Sequence, residues 1–139
     1  MLNVYSRTKE GGTHLSRNFV VREFACKDGS DPVFVDSDLV ALLQNIRDHF
    51  GKPLNINSAY RTAAHNRAVG GADYSQHLYG RAADIRISGV STEQLAACAE
   101  TLLPGTGGIG RYPEKVILEM YVRCLAAAGS LLNQKGGSS

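Results

Sequence analysis

The sequence predicts one domain that mixes helices with strands, and three observations carry that expectation. A chain of 139 residues can bury one hydrophobic core but is short for two ordinary domains. Apolar residues recur at helical spacing in segments 36–50 and 92–103,. Segments 53–58 and 82–87 are short and read as strands, the first by its alternation of apolar and polar residues,.

In chain order, residues 1–12 are polar and end in Gly11-Gly12, which predicts a loose or extended start,. Phe19, Phe24 and Cys26 follow as anchors for a short turn or helix, closed by the turn formers of 27–32,. The first long helix spans 36–50, with Asp36 or Ser37 as its cap, an apolar face of Leu39, Val40, Leu42, Leu43, Ile46 and Phe50, and a stop at Gly51,. After the strand at 53–58, residues 62–69 suit a short helix ending at Gly70-Gly71, and a loop leads through His77 to the strand at 82–87. A second long helix runs from Thr92 to Leu103, capped by Ser91 or Thr92 and ended by Pro104-Gly105,. Segment 107–113 has too many glycines for a helix and reads as a loop or bulged strand,. Val116, Ile117 and Leu118 suit a buried strand, whereas 119–132 is equally compatible with a helix. Residues 135–139 have the composition of a disordered tail,.

Charge narrows the partners. Fifteen Lys and Arg against thirteen Asp and Glu leave a formal charge of +2, too small to make nucleic acid or a membrane surface the main partner. No stretch approaches the roughly 20 apolar residues of a membrane span, and the first residues lack the apolar run of a secretory signal,. Synthesis in the cytoplasm is therefore expected. The cysteines, Cys26, Cys98 and Cys124, are widely spaced and odd in number, which predicts free thiols,.

The chemistry concentrates between Asn57 and Ile87. Ser58-Ala59-Tyr60-Arg61, Gly70-Gly71-Ala72, Ser75-Gln76-His77 and Gly80-Arg81-Ala82-Ala83-Asp84-Ile85 follow one another at short spacing. His77 and Asp84 offer an imidazole and a carboxylate, both suitable ligands for zinc. Seven residues separate them, and Gly80 favours a loop-to-strand path over a continuous helix. Alone, such a pair is more often surface polarity or a local hydrogen bond.

Taken together, these motifs resemble the M15 family of zinc D-Ala-D-Ala peptidases, in particular the subgroup with phage endolysins and wall-processing enzymes. The resemblance covers residues 15–113. It implies an α+β fold, the D-Ala-D-Ala peptidase (Hedgehog-like) fold: a small antiparallel sheet flanked by helices, with the metal site at one end of the sheet. It implies zinc as the cofactor, His77 and Asp84 as two of its ligands, and D-amino-acid-containing stem or cross-link peptides of peptidoglycan as the substrate. Arg61 matches an arginine over the site that would bind a substrate carbonyl or carboxylate and stabilise developing charge. Ser75 matches a small polar residue beside the first ligand that would orient substrate or the ligand loop. Tyr60 reads as packing.

The pattern breaks after Tyr112-Pro113. The family continues to a His-Val-Asp segment whose histidine is the third ligand, but an ungapped alignment places Ile117 at the histidine and Glu119 at the aspartate. An isoleucine cannot bind zinc. Glu114, three residues before Ile117, is a candidate catalytic base and just as readily a solvated turn residue, with Glu119 a weaker candidate for the base. His14, His49, His65 and Cys124 are the remaining residues that could in principle replace the ligand. A slip of reading frame would account for the altered segment 114–139. The alternative to catalysis is a wall-peptide-binding homologue with an incomplete metal site.

Overall fold

The computed structural model describes residues 1–103, 107–113 and 117–122. Its elements run β1 (Leu2–Ser6), α1 (Arg7–Glu10), β2 (Pro32–Asp36), α2 (Ser37–Phe50), β3 (Asn55–Ser58), α3 (Ala63–Ala68), β4 (Ala82–Arg86), α4 (Thr92–Leu102), β5 (Gly108–Tyr112) and β6 (Ile117–Tyr121). Two short 3-10 turns, Val21–Phe24 and Gln76–Tyr79, complete the set. The result is the expected α+β arrangement of antiparallel sheets and helices.

The long helices form where the apolar spacing places them. Asp36 caps α2 by accepting a hydrogen bond from the Asp38 amide at 2.9 Å, and Gly51 ends the helix in the left-handed conformation,. Leu39, Val40, Leu42, Leu43 and Ile46 are buried on one face. In α4, Ser91 and Gln94 cap one another reciprocally, and Leu95, Ala96, Cys98 and Ala99 face inward,. Both helices contribute to one core with Phe19, Val21, Phe24, Ile85, Leu118 and Met120. Cys26 and Cys98 are free and buried, as expected, and Cys124 lies outside the described residues.

Two open readings are resolved. Of the loose or extended start, the extended alternative holds over Leu2–Ser6: β1 pairs antiparallel with β2, Leu2 opposite Asp36 and Ser6 opposite Pro32. Its alternation runs against the usual signal, since Leu2 and Val4 are exposed while Asn3 and Tyr5 turn inward; the partner strand supplies the buried Val33 and Val35. The second concerns 119–132, where the sequence leaves strand and helix both open: Glu119, Met120 and Tyr121 continue β6, and residues 123–132 lie outside the described residues. β6 has β4 on one side and β5 on the other, so its backbone groups are satisfied by two ladders,. The glycine-rich 107–113 segment contains strand β5, Gly108–Tyr112. The frame slip and the tail at 135–139 concern residues at or beyond 114, most of which lie outside the described set.

The larger sheet has the order β3-β4-β6-β5, antiparallel throughout. Side chains alternate across it. Ala83, Ile85, Leu118 and Met120 join the core, so Asp84 and Glu119, directly opposite one another across β4 and β6, project from the other face. The register thereby pairs two carboxylates on the open side of the sheet.

Candidate metal centre

His77 enters this open face from the 3-10 turn before β4. Ser75 caps that turn by accepting from the His77 amide at 3.2 Å. Gly80 closes it with a φ of +70°, and a Cβ there would lie 2.4 Å from the Phe34 carbonyl oxygen. Only glycine meets both conditions. The Arg61 amide donates to the His77 carbonyl at 3.0 Å, tying the turn to the end of β3.

The imidazole is fully buried, and its two nitrogens have different tasks. Nδ1 lies 2.6 Å from the Ala59 carbonyl oxygen, to which it can only donate,. Nε2 faces Asp84 Oδ1 and Glu119 Oε2, each at 3.1 Å. With Nδ1–H committed to a carbonyl, Nε2 either carries a second proton or offers its lone pair to a cation. Burial disfavours the charged ring, but the hydrogen bonds to Asp84 and Glu119 and the Asp84 charge outweigh it and lift the pKa to about 9,. Glu119 is held below its ordinary value, chiefly by its hydrogen bond to His77.

Each carboxylate has one oxygen directed at Nε2 and the other held from behind. Arg61 Nη2 donates to Asp84 Oδ2 at 3.2 Å, and the Tyr112 hydroxyl donates to Glu119 Oε1 at 3.3 Å. Arg61 is itself fixed: Nε donates to Ser58 Oγ and Nη1 to Asn66 Oδ1, both at 3.1 Å. Buried Asn66 also donates to the Ala72 carbonyl at 2.8 Å, and a Cβ at Gly71 would stand 2.0 Å from Asn66 Oδ1. The Gly-Gly-Ala motif therefore supports the arginine, and through it Asp84.

Donor atoms of His77, Asp84 and Glu119 lie within 4.8 Å of one another, and among the described residues they form the group of this kind able to hold a metal. An imidazole with its second nitrogen bonded to a carbonyl, and two carboxylates each backed by a donor, fit a zinc ion by donor type and by outer support. Beside them a cavity of about 340 Å³ is lined by Arg61, Ser75, Asp84, Tyr112, Ile117 and Glu119, with Gly70 to Ala72 along one wall.

The site residues expected from the sequence are distributed unevenly. His77, Asp84, Arg61 and Ser75 come together, although Arg61 grips Asp84 as well as facing the cavity. Glu114 lies outside the described residues. His14, His49 and His65 stay away from the group. Tyr60 packs on Phe34, ring centres 5.3 Å apart. Glu119, the weaker candidate for a base, instead faces His77 Nε2 at 3.1 Å, where it could serve as a third ligand. Tyr112 was not singled out. Both could have been found from strand register: two residues beyond Ile117 on the same face of a strand brings Glu119 opposite Asp84.

The pattern of the family described as peptidase M15 matches residues 13–118, most of the chain. The chain belongs to that family. A stretch of 59 residues is also 39% identical to the zinc D-Ala-D-Ala carboxypeptidase of Streptomyces albus G, covering 42% of this chain and 22% of that protein. The chain thus spans under a quarter of the length of this curated relative. The match to peptidase M15 stops at Leu118, one residue before Glu119.

Proposed function

We propose that this member of peptidase M15 is a zinc-dependent peptidase acting on D-amino-acid-containing peptides of peptidoglycan, with His77, Asp84 and Glu119 as the metal ligands. The observation that carries this reading is His77 Nε2 standing 3.1 Å from both carboxylates, with Nδ1 and the two outer carboxylate oxygens already occupied. The similarity to a zinc D-Ala-D-Ala carboxypeptidase supports the choice of ion and of substrate class.

Zinc in such a centre supplies a water acidified to near neutral pH and a Lewis acid for the scissile carbonyl. The chain's own groups do the rest. Arg61 holds Asp84 through Nη2 and Asn66 through Nη1, and it lines the cavity beside the centre. Its positive charge suits a peptide carboxylate, because the two ligand carboxylates already neutralise a divalent ion. This favours removal of a terminal residue, a carboxypeptidase reaction, over cleavage within a cross-link. Ser75, half-buried at the cavity wall, accepts from the His77 amide and has a hydroxyl proton to orient substrate. Glu114 is proposed as the base.

The test is to strip the protein with a chelator, restore zinc, and measure D-alanine release from a peptide ending in D-Ala-D-Ala. One zinc per chain and zinc-dependent release are expected. The substitution of Ile117 at the expected histidine motivates the alternative of a wall-peptide-binding homologue. A zinc-loaded chain that binds the peptide without cleaving it would replace the first reading by the second.

A further inference from the structure

The centre differs from a two-histidine zinc site in its donors and in how firmly each is held. It offers one imidazole nitrogen and two carboxylate oxygens. Imidazole favours zinc, whereas carboxylate oxygen suits harder ions such as Mn²⁺. Two carboxylates also cancel the charge of any divalent ion, so more of the binding comes from charge, which Zn²⁺ and Mn²⁺ share.

The two carboxylates are not equally fixed. Asp84 is gripped by an arginine that is itself anchored to Ser58 and Asn66. Glu119 has a longer side chain, is the more exposed of the two, and is backed by the Tyr112 hydroxyl at 3.3 Å. It can rotate to present both oxygens to a larger ion. The adjoining cavity of about 340 Å³ has room for the waters that a six-coordinate ion requires,.

We infer that Glu119 relaxes the metal preference of this centre, so that it discriminates less between Zn²⁺ and oxygen-preferring divalent cations, Mn²⁺ foremost, than a two-histidine site would. This rests on the metal centre proposed above and concerns the ratio of affinities, since zinc still binds the more tightly of the two by the usual order of divalent ions.

The experiment measures dissociation constants for Zn²⁺ and Mn²⁺ by chelator competition on the metal-free full chain, at fixed pH. Wild type is compared with Glu119→His and Glu119→Gln, each checked for folding by circular dichroism. In Glu119→His the preference for Zn²⁺ over Mn²⁺ should rise about tenfold or more. In Glu119→Gln both ions should weaken, Mn²⁺ by the larger factor. An unchanged ratio in folded Glu119→His overturns the inference. If that variant does not fold, an unchanged ratio in Glu119→Gln does so. Wild type that binds neither ion also overturns it. Binding with the expected ratios but no D-alanine release overturns the peptidase reading and leaves this inference standing.

Discussion

The two halves of the proposed metal centre are built differently. His77, Asp84 and Arg61 come from one stretch running from the end of β3 into β4, tied together by contacts to the backbone: Nδ1 to the Ala59 carbonyl and the Arg61 amide to the His77 carbonyl. Glu119 and Tyr112 come from the paired strands β5 and β6 and reach the centre through strand register and side-chain hydrogen bonds. A site assembled this way can exchange the ligand on β6 while the other half keeps its geometry. The difference between the halves teaches that loss of a family residue at one position need not mean loss of the centre.

The largest effect should come from the rigid half. His77→Ala removes the only imidazole of the group, and zinc affinity should fall about a thousandfold, with hydrolysis at background. The next comparison sets Glu119 against Ile117. If β6 contributes through Glu119, Glu119→Gln should lower zinc affinity about a hundredfold, measured by chelator competition. Ile117→His should alter it by less than about tenfold, because two strand residues separate the positions by roughly 7 Å. The reverse order would move the ligand position on β6 to 117.

A smaller effect tests the outer support. Asn66→Ala frees Arg61 from one of its three holds, and zinc affinity should drop about tenfold, within the range seen when groups behind a metal ligand are lost. A loss as large as that of Glu119→Gln would mean that the Gly-Gly-Ala loop, rather than Arg61, is what fails.

The smallest effect is a slope with pH in the metal-free protein. The folded pKa of His77 is raised to about 9, above the ordinary 6.5. Its contribution to stability is therefore complete below about pH 6.5 and is lost as pH rises through about 9. Thermal melts of the metal-free chain should show that decline, and His77→Asn should lack it.

One half of the proposed centre is far more legible in the sequence than the other, and the reason is physical. α2 and α4 follow from apolar spacing and caps, and His77, Asp84 and Arg61 follow from motifs compact in the chain. β1 escaped because its inward side chains are Asn3 and Tyr5, which invert the usual alternation. Glu119 stands out less because its approach to His77 depends on a register between strands far apart in sequence, with Asp84 opposite it. An ungapped comparison asks what stands in the histidine's place. The sheet asks which side chain reaches Nε2.

The most direct test of the centre is anomalous diffraction at the zinc edge from crystals of the zinc-loaded chain. A single peak bounded by His77 Nε2, Asp84 Oδ1 and Glu119 Oε2, at about 2.0–2.2 Å from each, is the expected result. A zinc site that excludes Glu119, or no peak beside His77 in zinc-loaded crystals, would contradict it.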